Sequence, residues 1–420
     1  MKNKWIKTSE IFDNYEKRFA KARADKVLSR PWEDEEKKKI IASAKRMLGY
    51  DEKLVPDIHN MEEVGKTDFE GYCAIQLRYE SWKKMYGAST LFLPESAEKL
   101  PLVFLCCGHG KSGRLTSSYQ AMGHRLASLG IACLVMDNIG QGDRQKSEAD
   151  LDHWHTTAPF QCGLTLQGLI VMETIAIIRH MQKDERFDYS RFAACGNSGG
   201  GTLTMFLAAL APELSVIASS GYPSEISYIL QKERAHCACN LLIGETYEAE
   251  MWELYSVFAP KPLLLEGGNH DNLIPVDLAH RNARKVKNCY IQSDAEQNFD
   301  FKLTDTRHPW DVEDINVISE FLSKHLTGKT HDDITEMFTY EDISSMKVAI
   351  PSDCLTTAEL CEKLSGAEID ENKKLQHIFV PEFEGKAINP EEIQTDVGRG
   401  DLMRVFAQFE CALYNEKELK

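Results

Sequence analysis

Arg191-Phe-Ala-Ala-Cys-Gly-Asn-Ser198-Gly-Gly-Gly-Thr-Leu-Thr204 is the stretch on which the fold turns. It opens as a short, largely apolar run of the kind that forms a buried strand, and Leu203, Phe206, Leu207 and Leu210 then recur at helical spacing. A serine at such a junction, with Gly196, Gly199 and Gly200 around it, reads as a nucleophile elbow. The turn is so tight that a Cβ at the flanking positions would strike neighbouring backbone. Ser198 is therefore expected to stand exposed beside a helix N-terminus. A glycine turn without chemistry is the competing reading.

A serine hydroxyl needs a base, and the base needs a third group to fix its tautomer and orientation. Where strands and helices alternate around such an elbow, the acid and then the histidine follow the serine along the chain. Pro262-Leu-Leu-Leu-Glu266 has the character of a strand and leads into Gly267-Gly-Asn-His-Asp271, so Asp271 is the expected acid. Asp271 could instead be a turn residue, and Glu266 and Asp277 are weaker candidates. The expected base is His308, in the loop Thr304-Asp-Thr-Arg-His308-Pro-Trp310, with His270 and His280 as rivals. The loop precedes a closing helix over Asp311 to Leu326 and follows Asn288-Cys-Tyr-Ile-Gln292, which reads as the last strand.

Acyl transfer also needs donors aimed at the oxyanion. Leu102-Val-Phe-Leu-Cys-Cys107 reads as an early strand running into Gly108-His109-Gly110-Lys111-Ser112-Gly113, so the expected donors are the backbone N–H groups of Gly199 and Lys111. His109 is expected to order that loop on the substrate side. His236-Cys-Ala-Cys239 offers zinc-type ligands but lacks the two-residue cysteine spacing of a zinc knuckle, so no metal is expected. His236 and Asn240 are instead candidate substrate contacts.

Together these segments resemble the α/β-hydrolase superfamily, and within it the acetyl xylan esterase-like and dienelactone-hydrolase-like branch. The resemblance rests on Gly196-Asn-Ser-Gly-Gly-Gly201, Asp137-Asn-Ile-Gly-Gln-Gly-Asp-Arg144, His236-Cys-Ala-Cys-Asn240 and Ala259-Pro-Lys-Pro-Leu-Leu-Leu-Glu-Gly-Gly268. It covers roughly residues 50–326. It implies a mostly parallel central sheet with helices on both faces, and a serine esterase without a cofactor. Such enzymes often act on acetylated carbohydrate. One departure stands out: the acidic stretch from Ser293 to Asp305 reads as an insertion between the last strand and His308.

Residues 1–57 read as a helical segment packing on the core, 58–328 as the catalytic domain with a lid-like insert at about 221–255, and 329–420 as an acidic accessory region. That last region holds 20 Asp or Glu against 10 Lys or Arg, so most of the chain's net charge of −16 lies outside the expected hydrolase core. Two of its segments have helical signals, a capping box at Thr356-Thr-Ala-Glu359 and a stripe of Leu402, Phe406, Phe409 and Leu413. The acidity disfavours nucleic acid or an anionic membrane as partner. No apolar run reaches the ~20 residues of a membrane span, and no leader-like run follows Met1, so a cytoplasmic protein is expected. Cys106, Cys107, Cys133 and Cys195 fall in expected core strands and read as reduced thiols.

The resulting expectation is a cytoplasmic serine carboxylic-ester hydrolase with no cofactor, acting on a small-molecule or oligosaccharide ester and able to form a homo-oligomer. Deacetylation of sugars is the favoured reaction. A lactone, methyl ester or peptide is the alternative substrate, and a non-catalytic hydrolase-like interaction module is the alternative of another class.

Overall fold

The computed structural model describes residues 31–146, 153, 156–226, 228, 238–240, 242–243, 248–338, 340 and 342–370. Nine strands form one sheet in the order β1-β2-β3-β5-β4-β6-β7-β8-β9. The first three, β1 (His59–Phe69), β2 (Tyr72–Glu80) and β3 (Tyr86–Pro94), are antiparallel, and β3 is antiparallel to β5 (Ala132–Met136). From there the sheet is parallel through β4 (Leu100–Cys106), β6 (Phe187–Asn197), β7 (Val216–Ser220), β8 (Leu263–Gly268) and β9 (Phe299–Thr304).

The sequence chemistry explains the burial. Strands β4 and β5 are buried at every position, which is why they read as continuous apolar runs without alternation. Side chains cover both faces, and two apolar clusters result. One joins Leu102, Phe104, Leu134 and Ala194 to the helices α1 (Asp34–Leu48), α4 (Leu166–Met181) and α5 (Gly199–Leu210). The other joins Val103, Leu105, Val135 and Ala193 to α2 (Ser117–Ser128) and α8 (Val312–Thr327). Each fully buried side chain such as Phe104 or Phe192 contributes roughly 1.5–3 kcal/mol of transfer free energy. Within the same layers lie the short helices α3 (Ala158–Gln161) and α6 (Met251–Ser256), the long α7 (Val276–Gln292), and α9 (Thr357–Ser365).

The last strand is not where the sequence reading put it. Asn288–Gln292 forms the final turn of α7, whose buried residues Leu278, Asn282, Val286 and Cys289 recur at helical spacing. The expected insertion, Ser293 to Asp305, contains the strand itself, β9, in which Phe299 pairs with Leu263 and Leu303 with Gly267. Phe299, Phe301 and Leu303 alternate with Asp300 and Lys302, a pattern that suits an edge strand with one wetter face. His308 therefore follows the last strand after a short loop, and the supposed departure disappears.

The described residues after Gly328, 329–338, 340 and 342–370, form a strap across the body. The Met346 carbonyl accepts from Arg114 Nη2 at 2.7 Å, Val348 N–H donates to Asp143 at 2.7 Å, and Leu355 N–H donates to the Lys84 carbonyl at 2.9 Å. Met346 and Cys361 are wholly buried. The capping box at Thr356 and Glu359 opens α9. The stripe from Leu402 to Leu413 lies outside the described residues. At the other end of the described chain, Trp32 packs on Trp252 with ring centroids 6.1 Å apart. Trp252 is thus a core residue.

Candidate active site

Ser198 follows directly on β6 and holds φ 58° and ψ −118°, a conformation that costs a non-glycine residue on the order of 1–3 kcal/mol. The strain persists because both sides of the serine are tied down. Its N–H donates to the Ser220 carbonyl at 3.0 Å, and its carbonyl accepts from Thr202 N–H at 3.0 Å as α5 begins. The glycine requirement is steric: a Cβ on Gly200 would lie 1.9 Å from the Cys106 carbonyl oxygen.

Asp271 lies three residues beyond β8. Its Oδ1 accepts the N–H groups of Leu273 at 2.6 Å and Ile274 at 3.0 Å. That leaves Oδ2 for His308, whose Nδ1 lies 2.8 Å away. The Asp271 side chain is 2% exposed and that of His308 12%. The other imidazole nitrogen, Nε2, is buried and has no hydrogen-bond partner among the described residues. The His308 carbonyl accepts from Asn197 Nδ2 at 3.0 Å, so the residue preceding Ser198 holds the histidine loop.

The rival residues lie elsewhere. Asp277 is exposed on α7 beside Arg281, His270 pairs with exposed Asp305 at 2.7 Å, and the His280 ring packs on Phe301. Glu266 is wholly buried against Ser220 and Thr304.

Gly199 is the first residue of α5, so its N–H has no acceptor within the helix. Lys111 sits in an exposed turn after β4, and its N–H likewise takes no backbone acceptor among the described residues. The loop between them is close-packed against the serine. A Cβ on Gly108 would come within 3.3 Å of Ser198 Cβ, and one on Gly199 within 2.7 Å of the His109 ring. The His109 imidazole thus lies directly over Gly199. Of the remaining expected contacts, Asn240 is buried in a short turn packed on α4 and α5, and His236 lies outside the described residues.

The Asp137-to-Arg144 motif supports this loop from below. Asp137 accepts from the Arg114 N–H at 2.7 Å and from its guanidinium, which also pairs with Asp143 at 2.8 Å. Burial alone would lower the Arg114 pKa, but Asp137 and Asp143 more than offset it and hold it above the ordinary value. Gly142 is needed because a Cβ there would fall 2.1 Å from Asp137 Oδ1. Arg144 makes a second buried pair with Glu173 at 2.7 Å. Neither Arg114 nor Asn197 stood out in the sequence. The only signals were a basic residue beside the glycine loop and an amide inside the elbow.

Serine, acid and histidine thus follow the third, fifth and sixth strands of the parallel run, on a sheet whose first parallel pair is crossed. The chain has the fold of the α/β-hydrolases. The family model described as acetyl xylan esterase (AXE1) matches residues 53–235 of this chain. An inferred hydrolase of Bacillus subtilis (strain 168), YtaP, is 25% identical over 168 residues, covering 39% of this chain and 55% of YtaP. The chain thus aligns with little more than half the length of that curated relative. Among solved structures, the methylesterase BT1017 superposes with a TM-score of 0.59 at 18% identity, over 84% of this chain and 78% of that one. A glucuronoyl esterase from Solibacter usitatus superposes with a TM-score of 0.55 at 12% identity, over 69% of this chain and 91% of that one. At these identities the two structures bear on the fold.

Proposed function

We propose that this protein is a serine carboxylic-ester hydrolase that deacetylates acetylated sugars or oligosaccharides. The observation that carries the reading is the 2.8 Å contact between Asp271 Oδ2 and His308 Nδ1, which leaves Nε2 unpartnered among the described residues, in a loop tied to the residue before Ser198. In that geometry Asp271 fixes the tautomer with Nδ1–H, and Nε2 is free to accept the Ser198 proton. Ser198 Oγ attacks the ester carbonyl, and the Gly199 and Lys111 N–H groups receive the developing oxyanion. His308 returns the proton to the departing alcohol. Water, deprotonated by the same nitrogen, then releases the acid from the acyl-enzyme.

The acetyl preference rests on the family match over residues 53–235. The names of the structural relatives, a methylesterase and a glucuronoyl esterase, define the rival arm of the test. A hydrolysis panel compares sugar acetates and acetylated xylo-oligosaccharides with methyl uronates, lactones and longer acyl esters. The proposal expects the highest kcat/KM among acetates. Turnover of methyl uronates with inert acetates would replace the substrate while leaving the triad in place. A folded protein inactive on every ester would instead favour the non-catalytic module.

A further inference from the structure

Glu266 and Asp314 form a buried acid pair that the proposed reaction does not use. They are 0% and 2% exposed, and among the described residues no Lys, Arg or His pairs with either. Thr304 Oγ1 stands between the carboxyl groups, 3.0 Å from Glu266 Oε1 and 2.6 Å from Asp314 Oδ1, and Thr306 Oγ1 lies 2.9 Å from Asp314. The other Asp314 oxygen accepts the Asp311 N–H at 2.7 Å and so caps α8. Two carboxyl groups this close without a cation cannot both ionise cheaply, so one proton stays between them. Burial first, and then the charge of Asp314, pushes Glu266 up to about 8.

The pair is wired to the elements that carry the triad. Glu266 Oε2 accepts from the Ser220 hydroxyl, and that oxygen in turn accepts from Trp310 Nε1 at 2.8 Å, two residues beyond His308. Ser220 Oγ also lies 3.3 Å from Asn197 Oδ1, while Asn197 Nδ2 holds the His308 carbonyl. The Ser220 carbonyl accepts the Ser198 N–H at 3.0 Å. Glu266 backbone oxygen fixes Gly221 N–H at 3.1 Å, and a Cβ on Gly221 would lie 3.4 Å from His308 Cε1. One acid therefore meets the backbone of the nucleophile and Trp310 within two hydrogen bonds, and the His308 carbonyl within three.

We propose that Glu266 is a positioning residue, which acts through Ser220 to set Ser198 and His308 in register. The inference rests on the assignment of those two residues as nucleophile and base. Its chemistry requires an acceptor for Ser220 and a donor toward Asp314, both of which glutamine supplies. The titratable group facing Glu266 is Asp314, from α8; β7 and β9 present the hydroxyls of Ser220 and Thr304.

The test compares Glu266→Leu, Glu266→Gln, Ser220→Ala and Glu266→Leu/Ser220→Ala on p-nitrophenyl acetate, with near-UV circular dichroism to confirm folding. Displacement of reacting groups by a fraction of an ångström predicts a kcat loss on the order of tenfold to a hundredfold in Glu266→Leu and in Ser220→Ala, with KM little changed. The double variant is expected to lose no more than either single change. Glu266→Gln is expected to recover most of the loss and to keep kcat level as the pH passes through about 8, where the wild-type value declines. Wild-type kcat in folded Glu266→Leu or Ser220→Ala overturns the proposal. If Glu266→Leu does not fold, an unaltered kcat and pH profile in Ser220→Ala and Glu266→Gln do the same. If Glu266→Gln is as damaging as Ser198→Ala while Asp271→Asn is mild, Glu266 is the acid and the triad reading fails instead.

Discussion

On one side of β6, Asp137 and Asp143 hold the Arg114 guanidinium, whereas on the other side Glu266 and Asp314 meet with no cation between them among the described residues. Both clusters lie two strands from β6 in the sheet order, and both are buried. They compensate charge differently. The first sets its carboxylates around a permanent cation, with burial still pushing Asp137 above its ordinary carboxylate value, and locks the loop carrying Lys111. The second keeps a proton and locks the loop carrying His308. A buried ion pair fails badly when one member is removed, because an uncompensated charge remains; a proton-sharing pair can neutralise itself. The two sides of one active site therefore differ in their response to mutation and to pH.

The largest effects lie between the clusters. Ser198→Ala and His308→Ala are each expected to lower kcat by roughly 10⁴–10⁶ without loss of fold, and Asp271→Asn by about 10⁴, since members of such a unit fail together. Steady-state kinetics on p-nitrophenyl acetate checks this, and activity within tenfold of wild type in either alanine variant contradicts it. Next in size is Arg114→Met. It leaves buried Asp137 and half-buried Asp143 without their cation and is expected to cost about 3–5 kcal/mol in urea unfolding, with loss of esterase activity as the Lys111 loop is released. A cost below about 1 kcal/mol would mean that the pair is no more than a surface-type contact.

The smallest effect separates the clusters by pH. The folded-state pKa of Glu266 is raised from 4.5 to about 8, so the native protein binds the extra proton across that interval. The stability tied to it is complete below the unfolded value and is lost as pH rises through about 8. Thermal unfolding from pH 5 to 9 is expected to show that decline in wild type and a flatter profile in Glu266→Gln. Parallel profiles would place the proton elsewhere.

How far these features were legible in the sequence depends on whether a residue's partner is local. Ser198, Gly199 and the elbow glycines explain one another within six residues, and Asp271 and His308 follow from chain order once the elbow is placed. The motif from Asp137 to Arg144 was visible as a motif, but its partner Arg114 lies 23 residues upstream in no pattern of its own. Strand β9 was misplaced because Asp300 and Lys302 give it the polarity of a loop, while the apolar residues at the end of α7 imitate a strand. Period two in Phe299, Phe301 and Leu303 was the signal that distinguishes them. The acid pair was beyond reach, since only the sheet brings β8 beside the N-terminus of α8.

The most direct test of the central claim is intact-mass and peptide mapping after treatment with a fluorophosphonate. Our account predicts a single adduct on Ser198, abolished in Ser198→Ala and much slower in His308→Ala and Asp271→Asn, with esterase activity lost in proportion to labelling. An adduct on another serine that tracks the loss of activity, or full ester turnover by folded Ser198→Ala, would contradict it.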